Sequence, residues 1–536
     1  MRKNLWIAAI LISGVMTMLT SCSENDNPVV PPVEPDEPKE YVIEVGGFMK
    51  MPENKFLKVP ATTDCDQNVI NALKSIDKVT DVKAYKLNSR YDYYNKQYVT
   101  KTAYYFNYKQ DIDHNDPSKG WFKQQCVLTV AGKDRPTVLH TQGYSLKGSY
   151  NKLQDMGEPT LVYVLEANCL QVEHRYFGWS LPEGYTNRWN YLNAKQQSDD
   201  LHAIVTAIKQ SGVVGNGKWL STGVSKNGMT TAHYAYYYPN EMDAYVPFCA
   251  PFLLSLWDIR PYTHIISKEA FDEDTERWEK VKAAFVDFFS DKELQSECAN
   301  VCRQKLPNYR LLDDENVIMY LKERMIAHHY PKMTYVAFDR WESMIPKKGD
   351  SAQKYYDFIM SNEKTKYPGE TSELFYRREE LANELKEDSI DWSDPHALTR
   401  AIIIKRPNPY SVQACKELGS FGNDLSWVEH LLTPAEKTSF YRPMTPEWYG
   451  VTYDNGKFVL EFFEGMKQST CNMMFVYSMQ DPWTGGQIAD DMLGVNSRKL
   501  FIRKGTHNDF IDMWNQSEKA ELFKWLDSLG FDMDKE

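Results

Sequence analysis

Residues 219–231 of this chain read WLSTGVSKNGMTT, and this stretch decides the expected fold. Its apolar start predicts a short strand, Gly223 and Ser225 mark a tight turn, and the residues after them predict a helix that runs to Tyr238, before Pro239. A strand, a serine on a strained turn and a helix, in this order, form a nucleophile elbow. The N–H groups at the start of such a helix can also stabilise an oxyanion.

The usual form of the elbow is Gly-x-Ser-x-Gly, and this chain departs from it at Asn227. Asn adopts unusual backbone angles more readily than most residues, so an elbow is still expected. On this pentapeptide alone, the alternative is a strand, a turn and a helix in which the serine has no catalytic part.

A nucleophilic serine needs a base, and the base needs a carboxylate to orient it. Residues 475–479 predict a strand that is soon followed by Asp481, and residues 500–503 predict a strand that is soon followed by His507. The order Ser, Asp, His, each after a strand, is the order of the α/β-hydrolase fold. We therefore predict Ser225, Asp481 and His507 as a catalytic triad.

Other titratable residues fit this role less well. His233 lies two turns along the predicted helix and is expected to be a packed or solvated helix residue. His328 and His329 are expected to mark a helix end, and Asp509 follows His507 too closely to orient it.

The wider pattern predicts an α/β chain with a large insertion. Short β-rich runs, among them 161–165 and 172–176, alternate with helical ones up to about residue 250. Residues 260–440 are helical by their apolar spacing, and the β pattern then resumes. We predict an α/β-hydrolase domain from 41–259 and 441–536, with a mostly helical cap inserted at 260–440, before the strand that carries the acid.

The first residues predict export and lipid anchoring. Two basic residues precede an apolar run at 5–19, which is too short for a mature membrane span and is typical of a secretory signal. The run ends just before Cys22, in a pattern that resembles the bacterial lipobox. We predict a signal peptide at 1–21, a lipid on Cys22 and an extended Pro-rich, acidic tether at 22–40. A bacterial outer-membrane lipoprotein facing the periplasm or the cell surface is expected, and the alternative is a plain signal peptide.

Composition and charge exclude several classes. The chain has 536 residues, of which 42% are hydrophobic and 25% are charged, so it is neither collagen-like nor mainly disordered. Its 62 basic and 74 acidic side chains give a net charge of −12, which disfavours nucleic acid as a partner. No Cys-x-x-Cys pair and no His/Cys cluster with zinc-ligand spacing occurs, so neither a metal nor a cofactor is expected.

Five blocks of sequence together resemble a known family. These blocks, in chain order, are residues 110–125, 172–178, 191–201, 222–251 and 481–507. They resemble the serine aminopeptidases of family S37, which are similar to prolyl tri/tetrapeptidyl aminopeptidases and related to the prolyl carboxypeptidase and dipeptidyl peptidase family. The resemblance implies an α/β-hydrolase fold and peptides as substrates.

The same resemblance extends to the oxyanion hole and the amine site. One oxyanion donor is expected to be the N–H of Lys226, and the other the N–H of Gly143 or Tyr144. Recognition of a free amine needs a carboxylate that is shielded from water, and Glu173 is the candidate. The alternative is that Glu173 pairs with Arg175 or another neighbour to fix a loop.

The expected function is that of an exported, lipid-anchored serine exopeptidase, which releases short peptides of tri- or tetrapeptide size, with prolyl peptides among the candidates, from the N-terminus of peptide substrates. Two alternatives stay open. The triad also suits a carboxylesterase, because amide and ester hydrolysis use the same groups. A surface lipoprotein that binds glycans on aromatic side chains without catalysis would need no triad at all.

The predicted anchor is tested by metabolic labelling. We expect the chain, expressed in a Gram-negative bacterium, to incorporate a clickable palmitate analogue, and the Cys22→Ala variant to stay unlabelled, because the lipidated sulfur is lost. In-gel fluorescence after the click reaction measures this, with Cys65→Ala as the matched control that keeps its label. Label retained in Cys22→Ala contradicts the prediction.

Overall fold

A computed structural model of the chain describes residues 42–43, 49–50, 61–92, 95–146, 157–182, 189–265, 267, 270, 275–305, 314–335, 342–360, 408–441, 444–507 and 511–533. The predicted signal peptide and tether lie outside these residues. Within them, no helix has the length and apolar character that a membrane span requires.

The strands, numbered in chain order, are β1 (Val42–Ile43), β2 (Met49–Lys50), β3 (Val79–Lys86), β4 (Arg90–Asp92), β5 (Gln97–Val99), β6 (Thr102–Asp111), β7 (Trp121–Thr129), β8 (Thr137–Thr141), β9 (Asn168–Val172), β10 (Trp219–Val224), β11 (Ala244–Phe248), β12 (Met473–Ser478) and β13 (Ser497–Ile502).

The helices are α1 (Gln67–Lys74), α2 (Thr160–Val164), α3 (Ala194–Ser211), α4 (Lys226–Tyr237), α5 (Arg260–Ile265), α6 (Thr275–Ser290), α7 (Lys292–Lys305), α8 (Asp314–Tyr335), α9 (Ala352–Met360), α10 (Pro409–Gln413), α11 (Pro434–Phe440), α12 (Lys457–Gln468) and α13 (Gln516–Ser528). Short 3₁₀ turns lie between them, including one at Pro482–Gly486.

Nine of these strands form one mixed sheet, in the order β13-β12-β11-β10-β8-β9-β7-β6-β3. The strands from β13 to β9 are parallel to one another, and β7, β6 and β3 continue the sheet in antiparallel fashion. In a parallel sheet the carboxyl ends of the strands meet at one edge, where ligands bind. The loops after β8, β9, β10, β11, β12 and β13 therefore share one edge.

Helices cover both faces of the sheet, because successive side chains of a strand point to opposite sides. Val138 and Met474 pack with α2 and α13 on one face. Their neighbours Leu139 and Phe475 pack with α3, α4 and α12 on the other. Strands that are buried on both faces have nearly continuous runs of apolar residues in their sequence. A core on both sides of the sheet is typical of the α/β class.

The elements described between β11 and β12 are helical, and α5 to α9 and α11 have a core of their own. We call α5 to α11 the helical insertion. Phe285, Phe288 and Tyr355 are among its fully buried aromatic residues. Because β11 and β12 are neighbours in the sheet, the insertion leaves the sheet order intact. The strand order and the helices between β11 and β12 confirm the predicted fold class, an α/β-hydrolase sheet with a helical insertion before the acid-bearing strand.

Two predicted strands are wrong in type or place. Residues 161–164 lie in α2, which starts after Pro159, and Leu165 caps its end, so the run is not a strand. Every residue of this run is apolar, and a short buried helix leaves the same pattern in a sequence as a short buried strand. Of the strand expected at 172–176, only Val172 lies in a strand, as the last residue of β9, and the loop that contains Glu173, His174 and Arg175 follows it.

His233 of α4 is packed rather than solvated. It is buried and lies edge-on to Phe458 and Phe462, with ring centroids 5.0 and 5.2 Å away. Burial, assisted by the nearby charge of Lys226, lowers the pKa of its imidazole from 6.5 to about 3. The folded protein therefore holds a neutral imidazole in a range of pH where the unfolded chain binds a proton.

This difference predicts a loss of stability in acid. Below pH 6.5 the free energy of unfolding should fall by about 1.4 kcal/mol per pH unit for this one group, since the unfolded chain binds the extra proton. We expect a smaller fall in His233→Phe, which keeps an aromatic ring in the cluster but cannot titrate. Urea denaturation at a series of pH values measures it, with the exposed His430→Gln as control. An unchanged slope in His233→Phe contradicts the prediction.

Candidate active site

The strained turn at Ser225 joins β10 to α4. Ser225 has φ 63° and ψ −127°, in a region that residues with a side chain rarely adopt. Its N–H donates to Phe248 O at 2.9 Å, and its carbonyl accepts the N–H of Met229 at 2.9 Å. The side chain makes no capping bond to the helix. The turn is thus held from both sides by backbone, and the hydroxyl is left for other partners, as a nucleophile requires.

Two glycines let the helix approach the sheet at this turn. A Cβ on Gly223 would lie 2.6 Å from the carbonyl group of Asn227, and one on Gly228 would lie 2.6 Å from Phe248 O. Both positions therefore exclude a side chain. Asn227, which replaces the usual second glycine of the motif, is buried within α4, with 5% of its surface exposed.

Asp481 and His507 form the acid–base pair. His507 Nδ1 lies 2.7 Å from Asp481 Oδ2, and the two side chains are almost completely buried. Asp481 follows β12 and also accepts the N–H of Trp483 at 3.1 Å, while the N–H of Gln480 donates to Gly505 O at 3.0 Å. The loops after β12 and β13 are thus joined. An Nδ1–H bonded to a carboxylate leaves Nε2 as the basic nitrogen.

Cys249 links the serine loop to this pair. It directly follows Phe248, the residue that accepts the N–H of Ser225, and its Sγ lies within 4.8 Å of ligand atoms of Asp481 and His507. Burial raises the pKa of the Cys249 thiol. The structure thus gathers the three predicted triad residues at one sheet edge. Among the residues described, this Cys-Asp-His group is the one set of three metal-ligating side chains, and two of its members already bond each other.

The predicted oxyanion loop lies against the elbow, but one of its two candidate donors is occupied. The N–H of Gly143 donates to Asn227 Oδ1 at 2.6 Å. An N–H that already donates inside the protein is not available to an oxyanion, so the geometry does not support Gly143 as a donor. Tyr144 remains the candidate from this loop, and the N–H of Lys226 remains the candidate at the start of α4.

Glu173 is buried, and its contacts are those of a loop anchor. Its carboxylate accepts hydrogen bonds from the N–H of Leu146, Trp179 and Ser180 and from the Ser180 hydroxyl, at 2.8–3.0 Å. Burial raises its pKa to about 7, against the effect of these bonds. Gly178 packs directly on the carboxylate, where a Cβ would lie 2.1 Å from Oε1. These contacts favour the alternative that Glu173 fixes a loop over amine binding, although its partners are N–H groups and a hydroxyl, and Arg175 pairs with Asp200 instead.

Arg175 is a residue of the same block whose role the sequence did not reveal. Its guanidinium forms two bonds to Asp200 of α3, at 2.8 and 2.6 Å, and donates to Ile112 O at 2.9 Å. Both side chains of the pair are fully buried. A buried fork-to-carboxylate pair holds α3 against the loop after β9. Asp200 is 25 residues from Arg175, so no local pattern marks the pair.

Comparison with known proteins agrees with the site. Residues 77–287 match the family model described as PS-10 peptidase S37. Along 460 residues, 84% of either chain, the protein is 24% identical to the prolyl tri/tetrapeptidyl aminopeptidase of Streptomyces mobaraensis. The resemblance to family S37 is confirmed. The S37 match includes Ser225 and ends before Asp481, and together these similarities support a serine peptidase.

Solved structures with detectable similarity include two hydrolases. The proline iminopeptidase of Mycobacterium smegmatis is 10% identical, with a TM-score of 0.31, and the match covers 76% of this chain and 94% of that one. An α/β fold family hydrolase from Bacillus anthracis str. Sterne is 11% identical, with a TM-score of 0.30, and the match covers 76% and 95%.

A fluorophosphonate probe tests the nucleophile. We expect the probe to label wild-type protein on Ser225, Ser225→Ala to remain unlabelled, and Asp481→Asn to be labelled slower by about 10⁴-fold, because a misoriented imidazole cannot take the serine proton. Mass spectrometry locates the label and a time course gives the rate. Ser221→Ala, in the strand that precedes the turn, is the control, and equal labelling of Ser225→Ala contradicts the assignment.

Proposed function

We propose that this chain is an exported, lipid-anchored serine exopeptidase that releases short peptides from the N-terminus of peptide substrates. The observation that carries the proposal is the strained Ser225 on the same sheet edge as the buried Asp481–His507 pair. The similarity to S37 peptidases supports peptides as the substrates, and the prolyl tri/tetrapeptidyl name of one relative supports products of that size.

The proposed reaction passes through an acyl-enzyme. Ser225 Oγ attacks the scissile carbonyl while His507 Nε2 takes the hydroxyl proton, and Asp481 stabilises the resulting imidazolium. The N–H of Lys226 donates to the oxyanion. The C–N bond then breaks, and the leaving amine takes the proton from His507. Water attacks the ester in the same manner, and Ser225 regains its proton as the peptide acid leaves.

The helical insertion contacts both sides of the site. His264 of α5 lies 2.8 Å from Met479 O, just before Asp481, and Phe421 packs edge-on against Trp483. On the other side, Tyr410 of α10 lies 5.8 Å, between ring centroids, from Tyr144. The insertion thus borders both the loop that carries Asp481 and the predicted oxyanion loop. This supports a preference for the free end of a flexible peptide over folded protein.

A peptide ladder tests the proposed specificity. We expect release of tri- or tetrapeptides from peptides with a free N-terminus, and slower cleavage, by at least about tenfold, of the same peptides when N-acetylated, because acetylation removes the positive charge that marks the free end of the substrate. Mass spectrometry gives the size of the product and the residue before the cut. A matched series of aryl esters measures esterase activity in the same samples.

The outcomes separate the alternatives. Cleavage that survives in Ser225→Ala contradicts the mechanism, and equal cleavage of free and acetylated peptides contradicts exopeptidase action. Ester hydrolysis without peptide cleavage indicates a carboxylesterase. Glycan binding without either activity indicates the non-enzymatic surface protein.

A further inference from the structure

The two residues that follow Ser225 hold the loop after β8 with their side chains. Lys226 Nζ donates to Gly143 O at 2.5 Å, and Asn227 Oδ1 accepts the N–H of Gly143 at 2.6 Å. Asn227 Nδ2 also donates to Gln142 Oε1 at 3.3 Å. Both backbone polar groups of Gly143 are therefore bonded to the elbow, and they fix two successive peptide units of the oxyanion loop, 142–143 and 143–144, relative to the nucleophile.

These contacts lie in a part of the site with little access to water. Lys226 is 3% exposed, and its Nζ lies 4.9 Å from the ring centroid of Phe177 and 5.4 Å from that of Tyr144. Burial lowers the pKa of this ammonium to about 7. Hydrogen bonds that are shielded from water are stronger and more rigid than exposed ones. The lysine and the loop thus form one packed unit.

The loop also touches the helix directly. A Cβ on Gly143 would lie 2.7 Å from the backbone carbon and from Cγ of Lys226, so no larger residue fits between the loop and the first turn of α4. The loop is therefore packed directly on the helix start and bonded to it at two points. A displacement of either partner therefore moves the other.

We propose that Lys226 and Asn227 are positioning residues, whose side chains hold the 142–144 loop at the distance from Ser225 that the oxyanion hole requires. The inference rests on the proposed function, since an oxyanion forms only if the chain is a serine hydrolase. It also accounts for the asparagine that replaces the second glycine of the usual motif. A glycine at 227 has no side-chain group to accept the Gly143 N–H, whereas Asn227 has one.

Substitutions at Asn227 separate positioning from stability. Asn227→Ala removes the acceptor, and Asn227→Asp keeps an oxygen in its place. We expect Asn227→Ala to lower kcat by about 10- to 100-fold, a loss smaller than that of a whole oxyanion donor, with KM changed less than about twofold. Asn227→Asp should recover most of this loss. Lys226→Met, which keeps the length of the side chain, should lower kcat in the same way.

A tetrahedral mimic tests whether the loss lies in the oxyanion hole. The Ki of a peptidyl boronate, which forms a tetrahedral adduct with the serine, should rise in Asn227→Ala by the same factor as kcat falls. The matched control is Asn168→Ala. Asn168 Oδ1 accepts N–H groups of a loop in the same way, at 2.8 and 3.1 Å, but it lies at the opposite end of the sheet. This control should lower thermal stability and leave kcat and Ki unchanged.

The rate of fluorophosphonate labelling distinguishes failure of this inference from failure of the proposed function. A wild-type protein that is not labelled contradicts both. A labelled wild type with unchanged labelling rate, kcat and boronate Ki in Asn227→Ala contradicts the positioning role alone. A fall in kcat without a matching rise in Ki also contradicts it, since a general loss of structure would then account for the effect.

Discussion

The backbone at Ser225 is the constraint on which the site depends. A residue with a side chain at φ 63° costs on the order of 1–3 kcal/mol, and it persists only where the surroundings hold it. Here β11 accepts the serine N–H, α4 begins at the next residue, and two glycines allow helix and strand to touch. The sharp turn brings the first residues of α4 against the loop after β8. The same turn therefore determines where the hydroxyl and the start of the oxyanion hole lie.

Around this turn, several buried polar side chains hold loops in position and need not take part in the proposed reaction. Glu173 gathers three backbone N–H groups and one hydroxyl, Arg175 pairs with Asp200, and Asn227 bonds to Gly143. Each such group would be costly if left without a partner, and each is bonded. The loops that surround the serine are thereby held at fixed positions by side chains that need not touch a substrate.

The sequence was most informative where chemistry is local. The elbow at Ser225 has its strand, turn and helix within one short stretch, and Asp481 and His507 each follow a strand closely. Glu173 and Gly143 could not be interpreted in this way, because their partners come from other loops and become neighbours only in the folded sheet. The run at 161–165 failed for a different reason, since an apolar segment of five residues has no period that separates helix from strand.

The predicted triad residues lie far apart along the chain, and this separation matters during biosynthesis. The nucleophile is on β10, whereas the acid and the base follow β12 and β13, after the whole helical insertion has been made. A chain that is still growing, or one that stops within the insertion, holds a serine without its base. The predicted triad is therefore complete only after β12 and β13 have been made. A nascent chain that lacks them cannot hydrolyse a substrate by the triad mechanism.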